Sequence, residues 1–271
     1  MKIKQVLDAL EQFAPLPLQE SWDNAGLQIG LTEAEVSGAL LCLDVTPEIM
    51  DEAVAKGCNL IVSHHPLLFH GLKQIADQND VQRVVRRAIK EDICIVSMHT
   101  NMDNAQDGVN WRIASKIGLT DVEFMAEKVV TAGPDTMGNP QKVKSGSGVI
   151  GQLRQPMEAL KFIEQVKEAF DVECALCNEV LVRPVRKVAI CGGAGDFLLD
   201  DAIKAGADSF ITGEMHYHQY FGHEQEIQIC VIGHYQSEQY TAEIFRDIIE
   251  RGCPGVRCCL AETKTNPIIY V

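Results

Sequence analysis

Two adjacent histidines, His64 and His65, follow an apolar run near the end of the first quarter of the chain. Four segments share this design of an apolar run followed by His, Asp or Glu: IVSHHPLLFHGL (61–72), IVSMHTNMD (95–103), FITGEMHYH (210–218) and ICVIGHYQSE (229–238). Imidazole and carboxylate groups together suit zinc, iron, nickel or manganese better than calcium. A carboxylate has two oxygens and can bridge two cations, so these segments predict a polynuclear metal site.

The spacing of these side chains narrows the set of candidate ligands. His234 and Glu238 are four residues apart at the start of a predicted helix, which places both on one helical face with Cβ atoms about 5–6 Å apart. His64 and His65 would point to opposite faces of a strand, but at a strand-to-loop turn they can diverge toward two ions. Asp103 supplies a further carboxylate. Four other side chains compete for the same roles: His99, Glu214, His216 and His218.

A single histidine after a strand is more often structural than a metal ligand. The prediction of a metal site therefore depends on the repetition of this pattern in four segments. His70 and His223 lie farther from strand ends and are expected to be structural or exposed.

Cys174 and Cys177 form a lone CxxC without the second pair that a zinc ribbon needs. Most of the cysteines are interpreted as small buried hydrophobic residues. ICGGAGD (190–196) could cradle a phosphate, but a tight turn is favoured.

Helical and strand-like patterns alternate along the chain, which predicts an α/β fold with largely parallel sheets and crossover helices. Helices are predicted near 2–13, 47–57, 79–91, 106–118 and 156–170, and strands near 39–45, 59–63, 93–97 and 185–191. Functional groups of such sheets lie at the carboxyl ends of the strands. The four metal-ligand segments are therefore expected to meet, although they are distant in sequence.

An internal repeat supports a division into two related, interlinked α/β halves. AVAKGCNLIVSHH (53–65) matches AIKAGADSFITGE (202–214) in the order of helix end, glycine, apolar strand and site residues. The predicted ranges are 1–130 for the first half, 131–148 for an exposed linker loop and 149–271 for the second half. The metal site is expected in the cleft between the halves, where ligand sites commonly lie.

Composition and charge exclude several classes of function. The 271 residues carry a net charge of −14, which disfavours binding to the phosphates of nucleic acid. No apolar run approaches the roughly 20 residues that span a bilayer, and the amino-terminal segment resembles an amphipathic helix rather than a signal peptide. Ten cysteines without a secretory signal indicate reduced thiols and a cytoplasmic protein.

Six segments together resemble the Nif-three-like family, whose bacterial members are labelled GTP cyclohydrolase 1 type 2 homologs. They are SWDNAGLQIG (21–30), SHHPLLFHGL (63–72), HTNMDNAQDGVN (99–110), GSGVIGQL (146–153), ITGEMHYH (211–218) and GHYQSE (233–238). The resemblance implies two divalent metal ions per chain, a homohexameric ring or toroid, and five ligands: His64, His65, Asp103, His234 and Glu238. It implies that His64 and Asp103 bind one ion, that His65 and His234 bind the other, and that Glu238 bridges them.

The function that follows is a dinuclear-metal-dependent hydrolase acting on a nucleotide or a related small substrate. Metal-activated water would attack the substrate, and His99 or Glu214 would serve as general base or acid. A metal-dependent phosphoesterase and a non-catalytic, regulatory metal-binding ring remain as alternatives. An open coordination position distinguishes a catalytic site from a closed structural one, and five ligands shared by two ions leave room for solvent.

Overall fold

The computed structural model describes residues 1–134, 140–269 and 271, and its chain divides into two compact units. Unit 1 comprises Met1–Met102, Thr131–Gln141 and Thr241–Val271, and unit 2 comprises Asp103–Val130 and Lys142–Tyr240. This division differs from the predicted ranges in two main respects. Asp103–Val130, predicted within the first half, belongs to unit 2. The carboxyl-terminal segment belongs to unit 1, where it supplies a strand to the sheet and a helix that packs on it.

The helices and strands of the described residues have the following bounds. The helices are α1 (Ile3–Phe13), α2 (Pro47–Ala55), α3 (Asp80–Lys90), α4 (Thr100–Asp103), α5 (Val109–Lys116), α6 (Ala159–Phe170), α7 (Leu199–Lys204), α8 (His234–Glu238) and α9 (Thr241–Gly252). The strands are β1 (Gly26–Ile29), β2 (Ala39–Cys42), β3 (Leu60–Ser63), β4 (Cys94–Ser97), β5 (Thr120–Pro134), β6 (Pro140–Met157), β7 (Leu176–Cys177), β8 (Val185–Cys191), β9 (Ser209–Thr212), β10 (Gln228–Val231) and β11 (Cys258–Leu260). Short 3-10 turns lie at Leu16–Leu18, Asp196–Leu198 and Tyr217–Tyr220. None of the helices in these described ranges is both long and apolar enough to cross a membrane.

Unit 1 contains a five-stranded sheet in the order β1-β4-β3-β2-β11. Its strands are parallel except β1, which pairs with β4 in the antiparallel sense. β2, β3 and β4 are buried along their whole length, as expected for short apolar strands covered on both faces. The crossover helices begin at side-chain caps, with Thr46 accepting a hydrogen bond at the start of α2 and Asn79 at the start of α3.

Unit 2 contains a six-stranded sheet in the order β5-β6-β8-β9-β10-β7. Its centre, β8-β9-β10, is parallel, whereas β6 and β7 join β8 and β10 in the antiparallel sense. The α/β fold is thus confirmed. The parallel arrangement dominates the sheet of unit 1 and is confined to the central strands of the sheet of unit 2.

The internal repeat is visible in the register of the strands within each unit. In unit 1, Cys42 is opposite Ser63, and Ser63 is opposite Ser97. In unit 2, Cys191 is opposite Thr212 and Thr212 is opposite Val231, which is the same alignment of three successive parallel strands. The segments that carry the predicted ligands therefore follow equivalent strands in the two sheets.

The described parts of the segment 131–148 form strands, whereas its composition predicts an exposed loop; residues 140–142 and 144 are exposed. Residues 131–134 lie in β5 and 140–148 lie in β6, whereas 135–139 lie outside the described residues. One of its glycines is required by close packing rather than by a turn. A Cβ atom on Gly146 would lie 2.5 Å from the carbonyl oxygen of Ala126, so only glycine fits there.

Candidate metal centre

Three histidines follow the ends of β3 and β4 in unit 1. His64 and His65 come directly after β3, and His99 comes two residues after β4. Because Ser63 and Ser97 are paired in register, the residues beyond them lie side by side. The ring centroids are separated by 5.0 Å for His64 and His65, 5.2 Å for His64 and His99, and 5.5 Å for His65 and His99. One potential ligand atom from each of the three lies within 4.8 Å of the others, so they could hold a metal ion.

The orientations of His64 and His65 are fixed through their Nδ1 atoms. The Nδ1 of His64 lies 2.9 Å from the carbonyl oxygen of Met98, which can only accept, so this nitrogen carries the proton. The Nδ1 of His65 lies 2.7 Å from Oδ1 of Asp44. A neutral imidazole held in this way presents the lone pair of Nε2, as in metal-binding histidines whose other nitrogen is hydrogen-bonded.

Asp44 is held as a carboxylate by its surroundings. Burial alone would raise the pKa of Asp44, but the hydrogen bond and charge of His65 and the hydroxyl of Thr265 lower it. The Thr265 hydroxyl donates to Oδ2 of Asp44 at 2.7 Å. Asp44 can therefore keep accepting from His65 across the neutral pH range.

Asp23 orients His99 in the same manner. Its Oδ1 lies 2.8 Å from Nδ1 of His99, and its Oδ2 accepts from the backbone N–H of Thr100 at 3.0 Å and from the Thr100 hydroxyl. The side chain of Asp23 is fully buried. Burial would raise its pKa, but the hydrogen bonds from His99 and Thr100 lower the pKa to about 2. Three histidines of unit 1 thus share one design, with Nδ1 engaged by an oxygen atom.

In unit 2, His234 and Glu238 lie on the same face of α8, as their spacing predicts. The Nε2 of His234 is 3.0 Å from Oε2 of Glu238, whose side chain is 5% exposed. The Nδ1 of His234 is 2.8 Å from Oε1 of Glu214, which follows β9. His234 therefore repeats the design of the unit 1 histidines, with a carboxylate on Nδ1.

Asp103 and Glu238 both act on one buried thiol of unit 2. Burial raises the pKa of Cys191, and the negative charges of Asp103, Glu238 and Asp196 raise it further. One carboxylate oxygen of Asp103 and one of Glu238 lie within 4.8 Å of each other, so two of the predicted ligands form an acidic pair in unit 2. Such an environment attracts cations.

Small residues make room for Glu238. A Cβ atom on Gly193 would lie 2.2 Å from Oε1 of Glu238, and Gly193 has a φ of +62°. A Cβ atom on Gly213 would lie 2.7 Å from the Gly193 carbonyl oxygen and 2.9 Å from Cα of His234. The glycines after β8 and β9 thus allow the carboxylate of Glu238 to approach the backbone.

The glycine-rich turn after β8 is not arranged as a phosphate cradle. Its backbone N–H groups donate to side-chain oxygens within unit 2: Gly192 to Asn110, Gly193 to Ser237 and Gly195 to Thr212. These donors are used to hold the turn in place. The prediction of a structural βα turn is confirmed.

A Gly193→Ala substitution is expected to lower metal content by displacing the carboxylate of Glu238. The positive φ at this position would cost a further about 1–2 kcal/mol of stability. Gly206→Ala is the matched control, because Gly206 has a φ of +71° and no neighbouring atom within 4 Å of its Cβ position. Elemental analysis and thermal unfolding of both variants check this. Equal metal content in the two variants would contradict the role of Gly193.

The remaining predicted residues fall outside these two sets. The side chain of His216 is 89% exposed and lies 3.9 Å from Asp196, and His218 packs edge-on against Tyr217. His70 is exposed, and His223 is bonded to Glu226. Two carboxylates that orient histidines are not among the predicted site residues: Asp44, and Asp23 in the segment SWDNAGLQIG. Asp44 follows the apolar run of β2, and the strand-end rule could have found it.

A comparison with known protein families identifies the family of the chain. The sequence model described as Duf34/NIF3 (NGG1p interacting factor 3) matches residues 1–267. The chain belongs to the DUF34/NIF3 family. This membership confirms the resemblance to the Nif-three-like family.

Two relatives and two solved structures illustrate the similarity within the DUF34/NIF3 family. The chain is 33% identical to a Clostridium perfringens protein over 100% of both sequences, and 31% identical to a Clostridium acetobutylicum protein over 88% of the chain and 85% of the relative. Both relatives are named GTP cyclohydrolase 1 type 2 homolog. A Staphylococcus aureus hypothetical protein superposes with a TM-score of 0.88 at 26% identity, covering 100% of this chain and 99% of the other. A Bacillus cereus protein related to NIF3 superposes with a TM-score of 0.85, also at 26% identity and with the same coverage.

Proposed function

We propose that the protein is a hydrolase that depends on two divalent metal ions. The observation that carries this proposal is the shared design of four histidines: His64, His65, His99 and His234 each have Nδ1 on a protein oxygen. An oxygen atom on Nδ1 is characteristic of histidines that bind metal through the other nitrogen. His223 also has Nδ1 on a carboxylate, 2.9 Å from Oε2 of Glu226, but it belongs to none of the groups of potential metal ligands among the described residues, whereas the four histidines above do.

The proposed ligands come from both units, and the donor set of each unit fits the ions. Unit 1 contributes His64 and His65, and unit 2 contributes Asp103, His234 and Glu238. Following the family resemblance, we assign His64 and Asp103 to one ion, His65 and His234 to the other, and Glu238 to both. Imidazole nitrogens and carboxylate oxygens without thiolates suit zinc, iron, nickel or manganese.

The proposed chemistry divides between the ions and the protein side chains. Bound ions of this kind lower the pKa of water toward about 7 and polarise the bond under attack. His99 moves a proton at Nε2, because Asp23 holds its Nδ1 and fixes both tautomer and orientation, as in other carboxylate–histidine pairs. Glu214 acts as a positioning residue, since its carboxylate contacts Nδ1 of His234. This differs from the acid–base role that the sequence suggested for Glu214.

The proposal also includes a class of substrate and an oligomeric assembly. The names of the relatives support a nucleotide, with GTP-cyclohydrolase-like chemistry as the first substrate class to test. The family resemblance supports a homohexameric ring. A phosphoesterase would use the same centre, so phosphoesters belong in the same assay.

Metal content and turnover measured on one sample test the proposed function. We expect about two equivalents of metal per chain by elemental analysis, together with hydrolysis of GTP or a generic phosphoester that chelators abolish. Restoring the metal after chelation should restore turnover. Two equivalents without turnover of any substrate would favour a non-catalytic, regulatory metal-binding ring. Failure to bind metal after reconstitution would overturn the proposal.

A further inference from the structure

Two exposed aromatic side chains of unit 1 lie against His99. The indole of Trp22 is 6.1 Å from the His99 ring and the phenyl ring of Phe69 is 6.2 Å from it. Trp22 and Phe69 are 6.0 Å apart. All three pairs meet edge to face, at angles between 62° and 81°, so Trp22, Phe69 and His99 form a three-ring cluster.

The exposure of this cluster distinguishes it from ordinary core packing. Trp22 is 60% exposed and Phe69 is 43% exposed, although large aromatic side chains gain most from burial. His99, in contrast, has a side chain that is only 13% exposed. Much of both aromatic side chains is therefore left open to solvent beside a histidine of the candidate metal centre.

The backbone that carries the exposed rings is held in place by hydrogen bonds. Next to Trp22, the N–H of Asp23 donates to the carbonyl oxygen of Glu20 at 3.0 Å, and the Asp23 side chain is bonded to His99. Next to Phe69, the carbonyl oxygen of Leu68 accepts from Nδ2 of Asn24 at 2.8 Å. Asn24 thus ties the segment of Phe69 to that of Trp22.

We propose that Trp22 and Phe69 form an aromatic platform for the planar heterocyclic ring of the substrate, a nucleobase, which stacks on Trp22 and meets Phe69 edge to face because the two rings are inclined by 62°. A platform fixed before binding loses little conformational entropy when a ring stacks on it. Aromatic side chains stack on any base, because every base has a π-face. This inference rests on the proposed function, since it places the ring of the hydrolase's substrate next to His99. It adds to that function the residues that recognise the substrate.

Binding of guanosine 5′-monophosphate and ribose 5-phosphate tests the platform directly. The chain has two tryptophans, Trp22 and Trp111, so a Trp111→Phe variant reports fluorescence from Trp22 alone. We expect the nucleotide to quench this fluorescence and ribose 5-phosphate, which lacks the ring, to leave it unchanged. Quenching by both ligands to the same extent would overturn the proposal.

Calorimetry on the metal-loaded protein compares the affinities of Trp22 and Phe69 variants for guanosine 5′-monophosphate. Trp22→Ala is expected to weaken binding of guanosine 5′-monophosphate by about 10-fold or more, whereas Trp22→Phe retains a ring and keeps most of the affinity. Phe69→Leu, which preserves an apolar side chain at its position, should also weaken binding. Leu31→Ala is the control, because Leu31 is a 72% exposed side chain of unit 1 outside the three-ring cluster. Unchanged affinity in both Trp22→Ala and Phe69→Leu would overturn the platform.

Metal content separates failure of this inference from failure of the proposed function. If the protein holds metal and hydrolyses a ring-free phosphoester while the Trp22 and Phe69 variants bind the nucleotide normally, the platform alone is wrong. If the protein holds no metal but loses nucleotide binding in these variants, the platform stands and the hydrolase proposal fails. Circular dichroism of each variant confirms that its fold is intact.

Discussion

A Glu238→Ala variant is expected to lose both metal ions and all metal-dependent turnover. Glu238 is the proposed bridging ligand, so its removal takes a negatively charged oxygen from each ion. Even loss of an outer contact to a metal ligand lowers metal affinity by about 10-fold to 100-fold, and loss of a shared ligand should exceed that. Elemental analysis after dialysis, with turnover measured on the same sample, checks the result.

The control for Glu238→Ala is Glu164→Ala, which removes a 55% exposed carboxylate of unit 2 that pairs with Lys167. We expect this variant to keep its metal and its activity. Retention of one ion at full occupancy in Glu238→Ala would refute the bridge and would make Glu238 a ligand of a single ion. Retention of both ions would remove Glu238 from the ligand set.

A His99→Ala variant is expected to keep both ions and to lose about 100-fold to 10,000-fold in turnover. This is the usual contribution of a positioned general acid or base. The expectation follows from the contact of His99 with Asp23, which leaves Nε2 as the atom that exchanges a proton. Steady-state turnover and metal content of the variant, measured together, separate the proton-transfer role from a ligand role.

His223→Ala serves as the control for His99→Ala, because His223 is bonded to Glu226 and belongs to neither histidine set. It should retain metal and turnover. Loss of metal in His99→Ala would instead identify His99 as a ligand. The cluster of His64, His65 and His99 makes that outcome chemically reasonable, and the experiment decides between the two roles.

The candidate ligands could be proposed from the sequence because most of them follow apolar strands closely. His64 and His65 stand at the end of β3, and His234 and Glu238 are related by a local helical spacing, so short-range patterns were enough. The groups that orient the histidines were harder to find. Asp23 is 76 residues from His99 in sequence. The partner of His64 is a backbone carbonyl group, and because every residue has one, the sequence does not identify it.

The segment 131–148 shows where composition misleads. Glycine, proline, serine and lysine are common in loops, yet 140–148 form part of β6, in which residues 145 and 146 are buried. At Gly146 the neighbouring backbone leaves no space for a side chain. Tertiary packing therefore determined the strand, and local propensity could not reveal it.

The return of the chain to unit 1 has a consequence for biosynthesis. α9 packs on α1, and β11 pairs with β2 at the edge of the sheet, but both elements follow unit 2 in the chain. All of unit 2 is synthesised before them. Until Thr241–Val271 emerges, the nascent chain carries an unpaired edge at β2 and an uncovered apolar face on α1. Translation that stops before Thr241 would release a chain prone to aggregation, and unit 1 completes its sheet only after the whole of unit 2 has been made.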